Sequence, residues 1–197
     1  MNLDTTLINE VASNHAIGTN VHEQYYDVNR NIFYRGLGVS YSYIYDVCEK
    51  LNRKSVLDFG AGIGTSRFVY DTKPRTFDHS MCDMIDHSWR DDENVFFDNV
   101  RTELGYECIN AGNLTGNDFI LDTDLKFDCV IFFRFPPLTN GVIDATHIRK
   151  KMQPYITDDC IFLYANSHLY YERNYPFFTQ PGVTIEYEET PLVIASF

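Results

Sequence analysis

Basic residues are scarce in this chain of 197 residues. Lys and Arg number 16 against 28 Asp and Glu, which gives a formal net charge of −12 at pH 7. Such a chain repels a phosphate backbone, and tight nucleic-acid binding would require a local basic patch. The richest basic cluster, residues 149–151, is small and is interpreted as an exposed helix face. Nucleic acid is therefore not the expected partner.

Metal-ligand and disulfide patterns are lacking as well. The five cysteines are odd in number, and no C-x-x-C pair or zinc-ligand spacing occurs, so no metal site is expected. Several cysteines lie in apolar runs, which is typical of buried free thiols in a reducing cytosol. The chain begins without a basic and then apolar leader, and no apolar run approaches the length of a membrane span. We expect a cytoplasmic protein without membrane contact.

Internal repeats, low-complexity tracts and clear linkers are absent. Hydrophobic residues make up 44% of the chain and aromatic residues 15%, enough for one compact domain with a sizeable core. Residues 1–54 are predicted to form a helical lead-in or lid that contains an aromatic loop. Residues 55–197 are predicted to form the main α/β unit.

Strands and helices alternate after residue 54. Apolar runs predict strands over residues 55–59, 75–78, 106–110, 127–135 and 160–165. Helical spacing and capping predict helices over residues 42–51, 65–70, 96–104 and 143–152, and one that begins after Ser80. The tail predicts two strands, residues 183–188 and 191–197, joined by a tight turn. This order predicts a doubly wound, mostly parallel α/β sheet with a C-terminal antiparallel β-hairpin.

The run DFGAGIG at residues 58–64 places one acid and three glycines at a strict spacing of two. A strand precedes it and a helix follows, so the chain turns sharply at the carboxyl end of the strand, where such sheets bind ligands. Glycine accepts positive φ and lets a ligand approach where a Cβ would collide. The acid, Asp58, favours a cationic or hydroxyl-rich ligand group over a naked phosphate.

A second acid, Asp78, follows twenty residues later, where the second strand is predicted to end. An acid at that place can accept hydrogen bonds from ribose hydroxyls. The glycine turn and Asp78 together indicate an adenosine-containing ligand. Dinucleotide sites favour G-x-G-x-x-G with the pyrophosphate at the helix N-terminus. Here the spacing is G-x-G-x-G, and Thr65 stands where the third dinucleotide glycine would be.

Three motifs resemble those of the class I, Rossmann-like S-adenosylmethionine-dependent methyltransferases. They are the pattern D-x-G-x-G-x-G, the segment FDHS at residues 77–80 and the segment KFDCVI at residues 126–131. The resemblance spans residues 50–197, most of the chain. It implies a seven-stranded sheet in a three-layer α/β/α arrangement, with an antiparallel seventh strand, and it implies S-adenosylmethionine as the cofactor.

The resemblance also implies which residues would hold the methionine part of the cofactor. Gly60, Gly62 and Gly64 would line it, with Ala61 between them. Asp58 would orient this turn and the cofactor's amino group, directly or through water.

For the adenosine part, the resemblance implies that Asp78 holds the ribose and that His79 and Ser80 flank it. The family often places an acid after the third strand, where it contacts the adenine amino group. Asn113 is the candidate for that place, since its carbonyl can accept a hydrogen bond. Asp118 is a less well-aligned alternative.

The acceptor side has two candidate residues. Methyl transfer from a sulfonium is an in-line displacement, so alignment supplies much of the rate, and a base is needed only if the acceptor must lose a proton early. Arg134 could grip an acidic acceptor or pair with a neighbouring carboxylate. His168 is the candidate base or acceptor-orienting group, or else a loop histidine bonded to backbone. Aromatic residues at 25–26 and 33–34 could form a lid over the acceptor or pack on the sheet.

Four functions are compatible with these patterns. The favoured one is a methyltransferase acting on a small molecule or a protein group. The second is a nucleic-acid amino-methyltransferase, which the net charge disfavours. The segment FPPL at residues 135–138 invites comparison with amino-methyltransferases of DNA and protein, although Phe135 and Leu138 replace that family's polar and aromatic residues. A regulatory protein that binds S-adenosylmethionine without transfer is the third. An aminopropyl transferase, which usually needs further acids near the fourth strand, is the fourth.

Overall fold

The structure, a computed structural model, describes nine segments of the chain. They are residues 3–14, 24–27, 32–35, 41–83, 92–112, 120–133, 150–165, 181–189 and 192–196. The strands are β1 (Gln24–Asp27), β2 (Ile32–Arg35), β3 (Ser55–Phe59), β4 (Asp78–Asp83), β5 (Ile109–Asn110), β6 (Phe127–Phe133), β7 (Ile156–Ala165), β8 (Thr184–Glu189) and β9 (Leu192–Ser196). The helices are α1 (Thr5–Ser13), α2 (Tyr41–Lys50), α3 (Thr65–Tyr70) and α4 (Asp92–Leu104). Residues 150–152 are also helical and lead into a 3-10 turn, Gln153–Tyr155.

Seven of the strands form one sheet in the order β5-β4-β3-β6-β7-β9-β8. The first five strands in this order, β5, β4, β3, β6 and β7, are parallel to one another. Strand β9 is antiparallel to both of its neighbours, β7 and β8. The predicted doubly wound sheet with a C-terminal antiparallel hairpin is confirmed. The chain moves outward from β3 to β5 and resumes at β6 on the other side of β3. This reversal creates a switch point at the carboxyl end of β3, the usual place of a ligand in such sheets.

The core lies on both faces of this sheet, because successive residues of a strand point to opposite sides. On one face Leu57 and Phe59 of β3 pack in a cluster that includes Met152 from the helical residues 150–152. On the other face Val56 packs with residues of α1, α2 and α3, among them the fully buried Ile8. The N-terminal helices α1 and α2 therefore share a hydrophobic core with the sheet.

Asp128, the second residue of β6, holds the amino-terminal ends of the central strands β3 and β6 together. Its carboxylate accepts hydrogen bonds from the backbone N–H of Lys54 at 2.8 Å and of Ser55 at 3.0 Å. These bonds satisfy two donors at the start of β3 and set the pairing of β3 with β6. The acid at the start of this strand thus has a structural role, at the sheet edge opposite the glycine turn.

The lead-in differs from its prediction as a helical segment with an aromatic loop. Strands β1 and β2 pair antiparallel, with Tyr25 opposite Tyr34 and Tyr26 opposite Phe33. Aromatic and β-branched residues favour strands, and here that propensity outweighs the turn signal of the nearby glycines. The loop prediction was wrong over these two segments. The lid role of the aromatic residues stays a prediction.

The prediction that the cysteines are free thiols, several of them buried, is confirmed. All five cysteines are free thiols, and Cys48, Cys82, Cys129 and Cys160 are buried. Within the part of the chain that the structure describes, no helix combines the length and the apolar character needed to cross a membrane.

Candidate functional site

The glycine turn joins β3 to α3 at the carboxyl end of the central strand. Gly60, Gly62 and Gly64 have φ angles of +79°, +55° and +85°, all in the left-handed region that favours glycine. The backbone N–H groups of Gly60 and Ala61 both donate to the carbonyl of Cys82, at 2.9 and 3.1 Å. The turn is therefore attached to the end of β4 as well as to β3.

The glycines differ in what lies beside them. A Cβ on Gly64 would lie 2.8 Å from Tyr106 Cδ2, because the residues that follow α4 pack directly on the turn. A Cβ on Gly62 would meet no atom of the described residues within 4 Å. Gly64 is thus required for packing within the protein, whereas Gly62 faces open space that a ligand can occupy.

This difference predicts unequal effects of adding one methyl group. Gly64→Ala should lower the free energy of unfolding by about 3 kcal/mol, since the left-handed backbone and the clash with Tyr106 add together. Gly62→Ala should lower it by only about 1–2 kcal/mol, the backbone effect alone. Urea denaturation of both variants measures the difference. Equal losses would contradict the assignment of the two glycines.

Asp58 lies beneath the turn and is fully buried. The Tyr41 hydroxyl, at the start of α2, donates to Asp58 Oδ2 at 3.0 Å. Among the described residues, the other oxygen, Oδ1, and the neighbouring Ser66 Oγ make no hydrogen bond within the normal range of distance and angle. A buried carboxylate oxygen without a donor is uncommon in native structures. Apart from the adjacent Ser66 hydroxyl, which also lowers the pKa of Asp58, the described residues offer this oxygen no donor, so a ligand amine or a bridging water can bind to it.

Burial raises the pKa of Asp58 from 3.8 to about 7. Loss of hydration is the main cause, and the negative charge of Asp83 adds to it, whereas Ser66 and Tyr41 act in the opposite direction. Near neutral pH this carboxyl group is therefore close to its titration midpoint. A cationic group bound above it would favour the ionised form.

Asp78 was predicted to end the second strand, and this placement was wrong. Asp78 is the first residue of β4 and is exposed; it pairs with Ser55, whereas Cys82 pairs with Phe59 next to the turn. Four residues of extended chain separate it from the turn, about 13 Å. Ser80, predicted to cap a helix, lies inside the same strand. The capping prediction at Ser80 was wrong, because the strand continues through the apolar residues Met81 and Cys82.

The acid that does end β4 is Asp83, which the sequence reading missed. Its carboxylate Oδ2 accepts a hydrogen bond from the Gly62 backbone N–H at 3.0 Å. One signal could have identified it: Asp83 directly follows the apolar pair Met81-Cys82, as Asp58 follows Val56-Leu57. Asp83 is the last residue of β4 and Asp58 the last but one of β3, where it lies opposite Met81, so both acids are close to the carboxyl ends of two adjacent parallel strands.

Arg101 of α4 completes this corner of the site and is only 1% exposed. Its Nη1 donates to Asp83 Oδ2 at 2.8 Å and also to the carbonyl oxygen of Gly62. The positive charge offsets that of Asp83 where both are removed from water. No sequence pattern singles out this arginine, since a basic residue in the last turn of a helix is ordinary.

His79 does not lie at the turn either, contrary to its predicted place beside the ribose. It is buried in β4 opposite Val56, and its ring stacks on that of Tyr70 with centroids 5.0 Å apart. Its Nε2 is 2.9 Å from the Tyr45 hydroxyl, which donates to the Ser66 carbonyl. Because Tyr45 has a single proton, we assign the hydrogen to His79 Nε2.

The environment of His79 keeps it neutral. Burial is the main cause that lowers its pKa from 6.5 to about 3, and the positive charge of Arg67 contributes. A group with this pKa does not exchange protons near neutral pH. His79 is thus a packing residue beneath α3.

Three predicted site residues lie outside the described residues. They are Asn113, the candidate adenine contact, and the acceptor-side candidates Arg134 and His168; Asp118, the alternative to Asn113, does so as well. Their roles stay predictions.

Comparison with known proteins finds distant structural similarities. No protein-family model and no curated protein matches the chain. A candidate caffeoyl-CoA O-methyltransferase from Staphylococcus aureus is 12% identical, with 98% of this chain and 92% of that one covered and a TM-score of 0.49. The SAH-bound Podospora anserina methyltransferase PaMTH1 is 10% identical, with 97% and 85% covered and a TM-score of 0.49. An S-adenosylmethionine-dependent methyltransferase from Clostridium acetobutylicum is 16% identical, with 76% and 56% covered and a TM-score of 0.44.

Proposed function

We propose that the protein is an S-adenosylmethionine-dependent methyltransferase whose donor site is the glycine turn between β3 and α3. The observation that carries the proposal is the pairing of this turn with two acids at adjacent strand ends. Asp58 lies beneath the turn with one oxygen that makes no hydrogen bond of normal geometry to the described residues, and Asp83 bonds to the turn at Gly62. Open space lies where a Cβ of Gly62 would be.

This charge pattern favours S-adenosylmethionine over a dinucleotide. A pyrophosphate at the start of α3 would stand next to two carboxylates, of which Arg101 offsets one. An ammonium group and ribose hydroxyls are donors, and carboxylates accept from donors. The residues present therefore suit a ligand with a cationic amino acid part and a diol.

Each residue has a defined part in the proposed donor site. Asp58 would supply the negative charge for the amino group, directly or through water. Asp83 takes over the ribose role that was predicted for Asp78. Gly62 would admit the ligand close to the backbone. When bound, the cofactor supplies an activated methyl group, and the protein contributes mainly orientation.

The acceptor is proposed to be a small molecule or a protein group. The net charge of −12 disfavours a nucleic acid. Arg134 and His168 are the proposed acceptor-side residues, the first for an acidic acceptor and the second as a base or orienting group. The cytoplasm is the proposed location.

Separate substitutions of the two acids of β4, Asp83 and Asp78, test where the ribose binds. Asp83→Asn should weaken binding of S-adenosylhomocysteine about ten- to hundredfold, because a hydrogen bond to a charged group is lost. Asp78→Asn, a matched change in the same strand but at the opposite edge of the sheet, should leave affinity unchanged. Calorimetric titration gives both values. A loss with Asp78→Asn and none with Asp83→Asn would contradict the placement.

Incubation with methyl-labelled cofactor tests transfer itself. The protein, a cell lysate and labelled S-adenosylmethionine should yield label in one small-molecule or protein fraction, and Gly62→Val should abolish the labelling because its side chain would fill the space above the turn. Cofactor binding without any labelled product would favour the regulatory alternative.

A further inference from the structure

Arg101 is the largest fully buried side chain in the described part of the molecule. It belongs to α4, yet its guanidinium reaches the glycine turn between β3 and α3. Nη1 donates to Asp83 Oδ2 and to the Gly62 carbonyl, whereas Nη2 is 3.7 Å from Asp98 Oδ1. Nε and Nη2 make no hydrogen bond to the residues that the structure describes. Within that part of the chain, all the hydrogen bonds of this guanidinium go to the two groups at the turn.

These contacts close a ring around the peptide of Gly62. The Gly62 N–H donates to Asp83 Oδ2, the same oxygen accepts from Arg101, and Arg101 donates to the Gly62 carbonyl. Both polar groups of one residue are thus held by one buried ion pair. Gly62 is also the residue whose Cβ position faces open space, so the ring fixes the backbone that a ligand would approach.

Stability alone does not account for this arrangement. A buried guanidinium with two nitrogen atoms that make no hydrogen bond to the described residues is a costly way to attach a helix, and apolar residues of similar volume often do as well or better. What the ring does provide is a fixed orientation for the Asp83 carboxylate and for the Gly62 backbone before any ligand arrives. Groups that are already oriented need not be ordered on binding, which favours affinity.

We infer that Arg101 is a positioning residue of the donor site: it presets Gly62 and Asp83 for the adenosyl ligand without touching the ligand itself. The inference rests on the proposed function. Lysine cannot replace arginine in this role, because a single ammonium group lacks the planar fork that reaches two acceptors in fixed directions.

A second buried arginine offers a matched control. Arg75 has a fully buried side chain and pairs with Asp46 and Glu49 at 2.6 and 3.3 Å, and two of its nitrogen atoms likewise make no hydrogen bond to the described residues. Its partners lie on α2, away from the glycine turn. Arg101→Lys and Arg75→Lys therefore make the same chemical change in similar surroundings, but only the first affects the turn.

The test compares both variants in two measurements. Arg101→Lys should weaken binding of S-adenosylhomocysteine about ten- to hundredfold, and Arg75→Lys should leave it unchanged. Amide hydrogen exchange without ligand should show faster exchange at Gly62 in Arg101→Lys only. Gly60 should exchange as in the wild type, because its N–H donates to the Cys82 carbonyl and not to the ring. If Arg101→Lys does not fold, a titration of the wild type should shift the NMR signal of Arg101 Nε and leave that of Arg75.

The outcomes separate the inference from the proposed function. Equal affinity of the wild type and Arg101→Lys, equal losses in both lysine variants, or an Arg101 signal that does not respond to the ligand would overturn the inference. A wild type that binds no S-adenosylhomocysteine would overturn the proposed function. In that case, faster Gly62 exchange in Arg101→Lys would still establish the ring, and unchanged exchange would reject it.

Discussion

Asp58→Asn should raise the free energy of unfolding by up to about 4 kcal/mol at pH 8 and change it little at pH 4. The folded-state pKa of Asp58 is about 7, against 3.8 in an exposed carboxyl group. Between these values the folded protein holds a proton that the unfolded chain has lost, so stability falls as the pH rises from 3.8 to 7. Asparagine carries no charge, and its carbonyl can still accept from Tyr41.

The same substitution should impair the donor site. The amino group of the cofactor would lose its negative partner, and affinity for S-adenosylhomocysteine should fall about tenfold. Urea denaturation at the two pH values and calorimetry at pH 8 measure the two effects. Asp78→Asn, an exposed acid on the adjacent strand, is the control and should change neither. A variant that is less stable than the wild type at pH 8 would contradict the account of Asp58.

His79→Gln should stabilise the protein at pH 4.5 by about 3 kcal/mol more than at pH 7.5. The folded-state pKa of His79 is about 3, against 6.5 in an exposed histidine. Below pH 6.5 this histidine binds a proton in the unfolded chain but not in the folded protein. The contribution of His79 to the free energy of unfolding is therefore complete above pH 6.5 and is lost as the pH falls from 6.5 to about 3. Glutamine does not titrate, and its Nε2 can donate to Tyr45 as His79 does.

The contributions of Asp58 and His79 to the free energy of unfolding change with pH in opposite directions. Each changes by about 1.4 kcal/mol per pH unit over the range in which both groups contribute. Between pH 3.8 and 6.5 their contributions cancel in the wild type. Each single variant should therefore show a pH dependence that the wild type hides, with opposite signs, and the double variant should return to the wild-type slope. Parallel profiles for all four proteins would show that neither group has the shifted pKa.

The glycine turn was predictable because its signal is local. The run at residues 58–64 needs positive φ at fixed positions, and only glycine supplies it readily, so spacing alone located β3, the turn and α3. The alternation of strands and helices along the chain, together with the two alternating segments at its end, predicted the mostly parallel sheet and the terminal hairpin. These features depend on short stretches of chain, which sequence reading handles well.

The ribose-side acid was not predictable in the same way. Asp78 and Asp83 both follow apolar residues, and their order along the strand does not say which one reaches the turn. Pairing of β4 with β3 decides it, since Cys82 lies opposite Phe59. The role of Arg101 was even less predictable, because its contacts with Gly62 and Asp83 join residues that are distant in sequence. The different surroundings of Gly62 and Gly64 likewise appear only when Tyr106 is placed.

Titration of the wild-type chain with S-adenosylmethionine, S-adenosylhomocysteine, NAD and ATP tests the central claim most directly. The account predicts that both S-adenosyl compounds bind with a dissociation constant of about micromolar or tighter and that the other two bind weakly or not at all. Binding of NAD or ATP with no binding of either S-adenosyl compound would contradict it.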